Sequence, residues 1–522
     1  MNLLYYRIGF ASNSSSMHST WHVDDPKKIR DSIESMEFEW DMFICSSRSA
    51  IRKYLAAQLI MNMRGRIPNI VIASIIRFLY PEIKVSLYYE HGEITADVDH
   101  QSIWFFPREL HEMSCRVFPS FEFVKDVEEY LVRKKCVIVG GNDNCDIDDD
   151  ELDFRKLLGC QNSSKNMFLD EVVTNHNTTS VCVKDGEVWK TFDRQTGKKL
   201  RFSFKDGIEY NKSTHPELID LIISNRCSHG CPYCYRGCTS ESEVANIDSV
   251  TSALSSIEHY MNTFEVAIGG GNIVEYPDLE ELCLFIKNSI HTKGTFVCNT
   301  TLSWKDFTNE NVEKIKLIFS TFRGVAVSIS SKEQIEHVVD YRIQKNISYI
   351  NSNAKMSFQC IPELMSYNDI MNIIFNEQLK KIPYSVTFLG FKHTGRGNSP
   401  IYSAADFEKG KEGFRRFISE IPKLRKNNEF YEESWSGGMY PRTIGVDTQL
   451  IKNFPELKDT QESWCYNEEE GKFSCCIDLV SGYLLPSSFS KYKEEYKLQK
   501  SRWEGYETFN IAGGINSIYS KF

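Results

Sequence analysis

The amino-acid sequence predicts an α/β protein with a parallel central sheet covered by helices. From Pro216 onward, short apolar runs alternate with amphipathic stretches, and this strand-then-helix unit occurs six times in a row. Strands that alternate with helices are typical of a parallel sheet, because each helix carries the chain back to start the next strand. We therefore expect a partial (β/α)6 barrel, TIM-like, with ligands bound at the carboxyl ends of its strands.

The composition of each segment justifies these elements in order. Short runs rich in Ile, Val, Leu and Phe predict strands, and longer stretches with apolar residues every three or four positions predict helices. The predicted strands are 217–225, 264–272, 294–301, 324–331, 355–364 and 384–392. The predicted helices are 246–262, 277–290, 309–322, 331–344, 367–381 and 403–421. The barrel is expected within residues 206–424.

The segment before this core, residues 1–205, lacks its rhythm. It contains a helix-like stretch at 46–66 and a hairpin-like stretch at 187–204 that turns at Gly197. We expect one α+β accessory domain there, or two. The acidic run 142–154 lacks the Gly and Glu of a calcium loop at the required positions, which favours a solvated loop.

The segment after the core, residues 425–522, is expected to form a short C-terminal extension. Two strand-like runs lie within 463–490, around a turn at Ser481 and Gly482.

Composition and charge exclude several classes of protein. The 522 residues include 61 Lys and Arg against 71 Asp and Glu, and no basic run is long enough to follow a phosphate backbone, which disfavours sequence-independent nucleic-acid binding. Arg7 interrupts the apolar stretch at the N-terminus, so no secretory signal is expected. The most apolar segment, 69–80, contains Arg77 and is shorter than the about 20 residues that span a bilayer. We expect a cytoplasmic protein without membrane contact.

Four cysteines follow the first predicted strand within the stretch NRCSHGCPYCYRGC, residues 225–238. In a reducing compartment, such a group favours metal binding over disulfides. Cys227, Cys231 and Cys234 have the spacing C-x3-C-x2-C, whereas zinc sites commonly use paired C-x2-C units and four ligands. A 4Fe-4S cluster usually takes four thiolates, so three would leave one iron open to another ligand. A zinc site or a purely structural cluster is the alternative.

This spacing, directly after the first strand and with an aromatic residue before the third cysteine, resembles the radical S-adenosylmethionine (radical SAM) enzymes. The resemblance covers residues 217–392 and extends to bacterial and phage-type members of this superfamily. It implies that Cys227, Cys231 and Cys234 ligate one 4Fe-4S cluster, whose open iron chelates the amino and carboxylate groups of S-adenosylmethionine. Reduction by a flavodoxin-like or ferredoxin-like donor would cleave this cofactor to a 5′-deoxyadenosyl radical, which abstracts hydrogen from the substrate.

The resemblance also implies which residues contact the cofactor. Gly269, Gly270 and Gly271 match the glycine-rich segment that approaches the methionyl amino group, although a tight turn is the alternative. The family usually continues with Glu-Pro, whereas this chain has Asn272 and Ile273, so the ammonium would meet an uncharged amide. Further contacts are expected from Tyr233, from Asn299 on the third strand, from Ser328 and Ser330 on the fourth, and from Gln359 and Ile361 on the fifth. For the polar members of this set, the alternative is a hydrogen bond within the barrel.

A basic loop follows the sixth predicted strand. Lys392, His393 and Arg396 lie in the glycine-containing sequence LGFKHTGRG. Basic residues at this end of a barrel suit a carboxylate or phosphate on the cofactor or substrate, which makes Lys392 and Arg396 candidate cofactor ligands. A solvated basic turn is the alternative.

The tail contains Cys465, Cys475 and Cys476, none of them in a C-x2-C unit. It resembles the strand-turn-strand part of SPASM extensions, the auxiliary-cluster domains of radical SAM enzymes that modify peptides. We expect a SPASM-like but cluster-free version, with a second cluster that includes Cys238 as the alternative.

The extension favours a peptide or protein substrate. The alternatives are nucleotide or base modification by the same chemistry, and a non-catalytic iron–sulfur or zinc regulatory protein.

Overall fold

A computed structural model of the chain gives two compact units, Met1–Tyr210 and Asn211–Phe522, which are described separately. The described residues are 2–7, 16–33, 36–38, 43–63, 68–83, 87–88, 93–94, 97–98, 121–142, 164–165, 180–194, 197, 199–291, 296–347, 355–380, 382, 384–399, 404–427, 431–433, 439–441, 444–460, 470–503 and 506–522. The acidic run at 143–150 and Cys465 lie outside them. None of the described helices combines the length and the apolar character needed to cross a membrane.

Within the described residues, the first unit contains two four-stranded antiparallel sheets, two two-stranded sheets and three α-helices. Its strands are β1 Asn2–Arg7, β2 Ser16–His22, β3 Glu37–Phe38, β4 Phe43–Cys45, β5 Leu87–Tyr88, β6 Glu93–Ile94, β7 Asp97–Val98, β8 Cys136–Asn142, β9 Ser164–Lys165, β10 Ser180–Asp185, β11 Val188–Asp193 and β12 Lys199–Ser203. Its helices are α1 Arg48–Met63, α2 Asn69–Leu79 and α3 Phe121–Arg133. The sheets have the orders β1-β12-β11-β10 and β4-β8-β2-β9. The predicted hairpin corresponds to β11 and β12, with Gly197 between them at φ +71.

The second unit contains the alternating elements that the sequence predicts. Its strands are β13 Leu218–Ser224, β14 Glu265–Gly270, β15 Val297–Ser303, β16 Gly324–Ser328, β17 Lys355–Cys360, β18 Ser385–Phe388, β19 Tyr431–Glu433, β20 Met439–Pro441, β21 Ile444–Val446, β22 Ser474–Asp478, β23 Tyr483–Leu485, β24 Lys500–Trp503 and β25 Tyr506–Phe509. Its helices are α4 Ile247–Tyr260, α5 Leu279–Phe285, α6 Val312–Thr321, α7 Lys332–Gln344, α8 Tyr367–Ile374, α9 Ala404–Lys426, α10 Thr448–Asn453 and α11 Ile511–Ser517.

A nine-stranded sheet of the order β21-β18-β17-β16-β15-β14-β13-β22-β23 organises this unit. All neighbours pair in parallel except β22 and β23. The predicted parallel α/β sheet is therefore confirmed, whereas its closure into a partial barrel stays a prediction. Three strands of the segment predicted as a C-terminal extension join this sheet.

Alternation along the strands separates two faces of the sheet. In β13, Ile219, Leu221 and Ile223 are buried in the main hydrophobic core together with residues of the covering helices, for example Leu254 of α4. Asp220 alternates with these residues and therefore points to the opposite face of the sheet. Half-buried polar residues of the neighbouring strands occupy equivalent positions. One face of the sheet thus holds the core, and the other carries polar groups.

Candidate functional site

The segment 225–240, named the cysteine loop here, leaves the sheet at the carboxyl end of β13, between β14 and β22. Backbone hydrogen bonds close the loop on itself, because the Cys227 amide donates to the Thr239 carbonyl at 2.9 Å. Gly230 and Gly237 take φ values of +62 and +68, which glycine adopts without strain. The loop therefore has a defined backbone.

The four thiols of this loop lie in different environments. Cys227, Cys231 and Cys234 are half-buried, and Cys238 is 2% exposed. A hydrogen bond from the Cys238 thiol lowers the pKa of the Cys234 thiol to about 5, although burial works in the opposite direction. Burial raises the pKa of the Cys227 thiol. The contact with Cys238 thus favours the thiolate form of Cys234.

No group of three or more His, Cys, Asp and Glu side chains is compact enough for a single metal ion, among the residues that the structure describes. A cube-shaped cluster binds each thiolate at a separate corner, so its ligands lie further apart than those of a mononuclear ion. The assignment of Cys227, Cys231 and Cys234 as cluster ligands stays a prediction.

The glycine run ends β14 beside the start of the cysteine loop. A Cβ atom on Gly271 would lie 2.1 Å from the Arg226 carbonyl oxygen, and one on Gly270, whose φ is +112, would lie 2.3 Å from the Ser224 oxygen. A Cβ atom on Gly269 would have no atom within 4 Å. The last two glycines therefore permit a close approach of two backbones, which agrees with the tight-turn alternative, whereas Gly269 is the one glycine of the three with open space at its Cβ position.

Asn272 ties this strand end to the cysteine loop. Its side-chain oxygen accepts a hydrogen bond from the Val274 amide at 3.1 Å, and its amide nitrogen donates to Asp306 at 2.8 Å and to Glu275 at 3.1 Å. His229 of the loop lies 2.9 Å from the same Asp306 oxygen. These contacts were not foreseen from the sequence, and they give Asn272 a structural role, while its contact with the cofactor stays a prediction.

Four half-buried polar residues, here called the polar row, lie side by side at the carboxyl ends of four parallel strands. The pairing register aligns Ser303 with Ser328, Ser328 with Gln359, and Gln359 with Thr387. Two members of the row, Ser328 and Gln359, are sequence-predicted site residues. Ser303 and Thr387 were missed, although the same two-residue alternation in the strands could have identified them.

The other predicted contacts have varied positions. Asn299 lies deeper in the sheet and donates to Glu265 at 3.2 Å. Ile361 directly follows β17 and is half-buried, and Tyr233 is half-buried in the cysteine loop. The placement of Ser330 on the fourth strand is wrong, because β16 ends at Ser328. Ser330 is instead exposed at the start of α7.

Lys392, which follows β18, lies among aromatic and acidic groups rather than in solvent. Its ammonium is 3.3 Å from Asp447, and it lies 5.0 Å from the centre of the Tyr235 ring and 4.9 Å from that of Phe489. Asp220 of β13 also interacts with it electrostatically, and burial raises the pKa of this carboxyl group. Lys392 therefore joins β13, the cysteine loop, the β21 end and the tail.

Arg396 contacts the cysteine loop itself. Its Nε donates to the Cys231 carbonyl at 2.8 Å, its Nη1 to the Cys238 carbonyl at 2.7 Å, and its backbone amide to the Cys234 carbonyl at 2.9 Å. The sequence predicted a carboxylate or phosphate partner, whereas the described partners are backbone carbonyls. The neighbouring His393 is exposed.

The tail cysteines that the structure describes are built into the sheet. Cys475 and Cys476 are buried neighbours on β22, and Cys475 belongs to the main core, whereas Cys476 packs with Ile222 and Leu485. Adjacent residues of a strand point to opposite faces, so these two thiols lie in different surroundings.

Comparisons with known proteins give only distant similarity. No protein-family model matches the chain, and no curated protein is similar to it at a significant level. Among solved structures, SuiB of Streptococcus suis bound to the precursor peptide SuiA is 14% identical over 53% of this chain and 60% of SuiB, with a TM-score of 0.36. SuiB bound to S-adenosylmethionine is 16% identical over 53% of this chain and 61% of SuiB, also with a TM-score of 0.36.

A third solved structure, anSMEcpe with bound AdoMet and Cp18Cys peptide, is 14% identical over 59% of this chain and 79% of that protein, with a TM-score of 0.34. The similarity to SuiB thus spans about three fifths of SuiB's own length. Overlaps of this size do not establish a family for the chain.

Proposed function

We propose that the chain is a radical SAM enzyme that modifies a peptide or protein. The observation that carries this proposal is the position of the C-x3-C-x2-C sequence, which starts at the carboxyl end of β13 and lies beside the glycine run of β14. Ligands of parallel α/β sheets bind at this end of the strands. Three thiols with this spacing would leave one iron of a 4Fe-4S cluster open to a cofactor.

The residues of the cysteine loop fit an iron–sulfur cluster. Three half-buried thiols share one loop, and a Cβ atom placed on Gly230 or on Gly269 would have no atom within 4 Å, so there is space at each of these two positions. The cluster and S-adenosylmethionine, when bound, would supply a 5′-deoxyadenosyl radical that abstracts a substrate hydrogen. The chain would hold both groups and keep water away from them.

Hydrogen-bonding groups lie at the carboxyl ends of β15 to β18, where the proposal puts the meeting of substrate and cofactor. The polar row offers hydroxyl and amide groups, which are able both to donate and to accept hydrogen bonds, as peptide groups require. The strand-turn-strand of β22 and β23 resembles the extension found in radical SAM enzymes that modify peptides. The strand-turn-strand resemblance supports a peptide or protein substrate over a nucleotide or base, and the polar row is compatible with a peptide.

The test is anaerobic reconstitution of the full chain with iron and sulfide, followed by reduction with dithionite in the presence of S-adenosylmethionine. We expect a brown protein that absorbs at about 400 nm and releases 5′-deoxyadenosine. Cys231→Ala should lose both the colour and the product, and Cys298→Ala, a buried cysteine of β15, is the matched control that should keep both.

Other outcomes identify the alternatives. A stable cluster without 5′-deoxyadenosine, even with peptide-containing lysate as substrate, would contradict catalysis and favour an iron–sulfur regulatory protein. Zinc in place of iron in the purified chain, with no cluster after reconstitution, would exclude the radical SAM assignment. Lysate freed of peptides and proteins that still supports turnover would favour a nucleotide or another small molecule.

A further inference from the structure

Arg396 makes an unusual set of contacts for a residue outside the cysteine loop. The three carbonyl groups that it binds, through its side chain and its backbone amide, belong to Cys231, Cys234 and Cys238. Arg396 lies in a short 3-10 turn, Gly395–Asn398, that follows β18. A single residue in the loop after β18 therefore binds three carbonyl groups of the cysteine loop.

The approach of this turn to the cysteine loop is close and specific. A Cβ atom on Gly395 would lie 2.5 Å from the Tyr235 carbonyl oxygen, and Thr394 donates its hydroxyl to the same oxygen at 3.0 Å. Glycine at position 395, with φ +54, is what allows Arg396 to reach the loop carbonyls.

One nitrogen of the Arg396 guanidinium takes no part in these contacts. This atom, Nη2, is buried and has no hydrogen-bond partner in the part of the chain that the structure describes. A buried donor of a charged group is costly when it stays unpaired, so a position of this kind is suited to an acceptor that binds at the loop. An anionic acceptor suits this position best, because hydrogen bonds between a guanidinium and an anion are stronger than those to a neutral group.

We propose that Arg396 is the positioning residue of the cysteine loop. It fixes the loop backbone before any cofactor binds, and its remaining Nη2 donor, with its charge, then stabilises an anion on the loop, either a cluster sulfur or the cofactor carboxylate. The first part of this proposal concerns the cofactor-free chain and is independent of the proposed function, whereas the second part rests on it.

The first part predicts the order of the loop in the cofactor-free protein. Hydrogen exchange of the full chain without iron should show protected amides at Cys227, Cys234 and Gly237, whose hydrogen bonds close the loop. Arg396→Gln should raise exchange in the peptide covering 225–240 by at least about tenfold, since two charge-assisted hydrogen bonds are lost. Arg396→Lys should give an intermediate rate, because lysine keeps the charge but cannot reach two carbonyls.

Two controls keep this result interpretable. Arg415→Gln removes a guanidinium of α9 that is 53% exposed in its side chain, and it should leave exchange in the loop unchanged. Hydrogen exchange in peptides from β15 reports global folding in every variant. If Arg396→Gln raises exchange in these peptides too, the comparison rests on Arg396→Lys. Loop exchange that equals wild type in both Arg396 variants would overturn the proposal.

The second part is tested on the reconstituted protein. Arg396→Gln should make the midpoint potential of the cluster more negative, because a nearby cation favours the reduced, more negative form. A shift without S-adenosylmethionine assigns the acceptor to the cluster, whereas an unchanged potential with weaker S-adenosylmethionine binding assigns it to the carboxylate. Unchanged potential and unchanged binding would refute this part. A wild-type chain that takes up no iron would refute the proposed function, while the exchange result would still stand.

Discussion

The cysteine loop contains four thiols in two different environments. The Cys238 thiol is buried, interacts with the Cys234 thiol and lies 3.6 Å from the Gly270 carbonyl, whereas the other three are half-buried. Cys238 thus interacts both with the candidate ligand Cys234 and with the glycine run.

This arrangement predicts different effects for neighbouring cysteines. Cys238→Ala should keep the full iron content after reconstitution, because the Arg396 bond to position 238 involves the backbone carbonyl. Cys234→Ala should lose the cluster. Iron and sulfide per chain, measured by chemical analysis, check both outcomes, and a Cys238→Ala protein that loses iron would make Cys238 a ligand.

A buried ion pair connects the cysteine loop with the tail. Arg236 donates to Asp478 at 2.9 Å, and their side chains are 5% and 0% exposed. Tyr492 also donates to Asp478 at 2.7 Å. The desolvation cost of these charges is offset only while each has its partners.

Removal of one partner should therefore be costly. Arg236→Met should lower the free energy of unfolding by about 3 kcal/mol, because the Asp478 carboxylate is left buried without its counter-charge. Tyr492→Phe is the matched control and should cost about 1 kcal/mol, the value of one hydrogen bond. Urea denaturation measures both, and equal costs for the two variants would argue against a decisive role of the ion pair.

At the scale of elements, the glycines at the end of β14 differ in the space around them. Gly271→Ala should destabilise the protein by about 1–3 kcal/mol, since its Cβ atom has no space against the Arg226 backbone. Gly269→Ala has space and should leave the melting temperature nearly unchanged, yet weaken S-adenosylmethionine binding if the cofactor approaches this backbone. Thermal unfolding and equilibrium dialysis test the pair, and unaffected binding in Gly269→Ala would remove Gly269 from the site.

The start of helix α1 in the first unit depends on a carboxylate. Asp31 accepts hydrogen bonds from the Ser46 amide at 2.6 Å and the Ser47 amide at 2.9 Å. Burial works to raise the pKa of Asp31, but the hydrogen bonds from Ser47 and Ser46 outweigh it and lower the pKa below its ordinary value of 3.8. A lowered pKa means that the folded state favours the charged form.

The stabilisation by Asp31 should consequently depend on pH. It is fully present above pH 3.8 and is lost as the pH falls through the lower pKa of the folded state. Asp31→Asn should cost about 1 kcal/mol at pH 7, and the difference from wild type should shrink at pH 3. Urea denaturation monitored by circular dichroism gives both values. A difference that stays constant with pH would contradict a role for the charge.

The elements show which features a single sequence encodes locally. The six strand-helix units could be predicted because apolar periodicity reports directly which residues a strand or helix buries. The joining of β21, β22 and β23 to the same sheet could not, because pairing between distant segments leaves no local pattern. Ser330 was misplaced because the alternation of apolar residues continues past Ser328, although β16 ends there and α7 begins at Lys332.

In the candidate site, too, local patterns could be predicted from the sequence, whereas contacts between distant residues could not. The spacing of Cys227, Cys231 and Cys234 is a local pattern and was visible in the sequence. The partners of Asn272 and Arg396 were not, because a side chain that could bind a ligand is equally able to bind a backbone carbonyl or another side chain. Only the fold determines which of these lies within reach.

At the scale of the whole molecule, the candidate site belongs to one of the two compact units. The cysteine loop, the glycine run, the polar row, Lys392 and Arg396 all lie within Asn211–Phe522. This unit also has its own hydrophobic core, formed by the helices and by the core-facing residues of the nine-stranded sheet. A unit with its own core is able to fold alone.

Residues 211–522, expressed without the first unit, should therefore fold cooperatively and bind as much iron per chain as the full protein. The physical reason is that the contacts described for Arg396, Asn272 and Lys392 all join residues of this unit. Thermal unfolding and iron analysis after anaerobic reconstitution measure the two properties, with the Cys231→Ala version of the same fragment as the control. A folded fragment that takes up less iron than the full chain would assign part of cluster binding to the first unit.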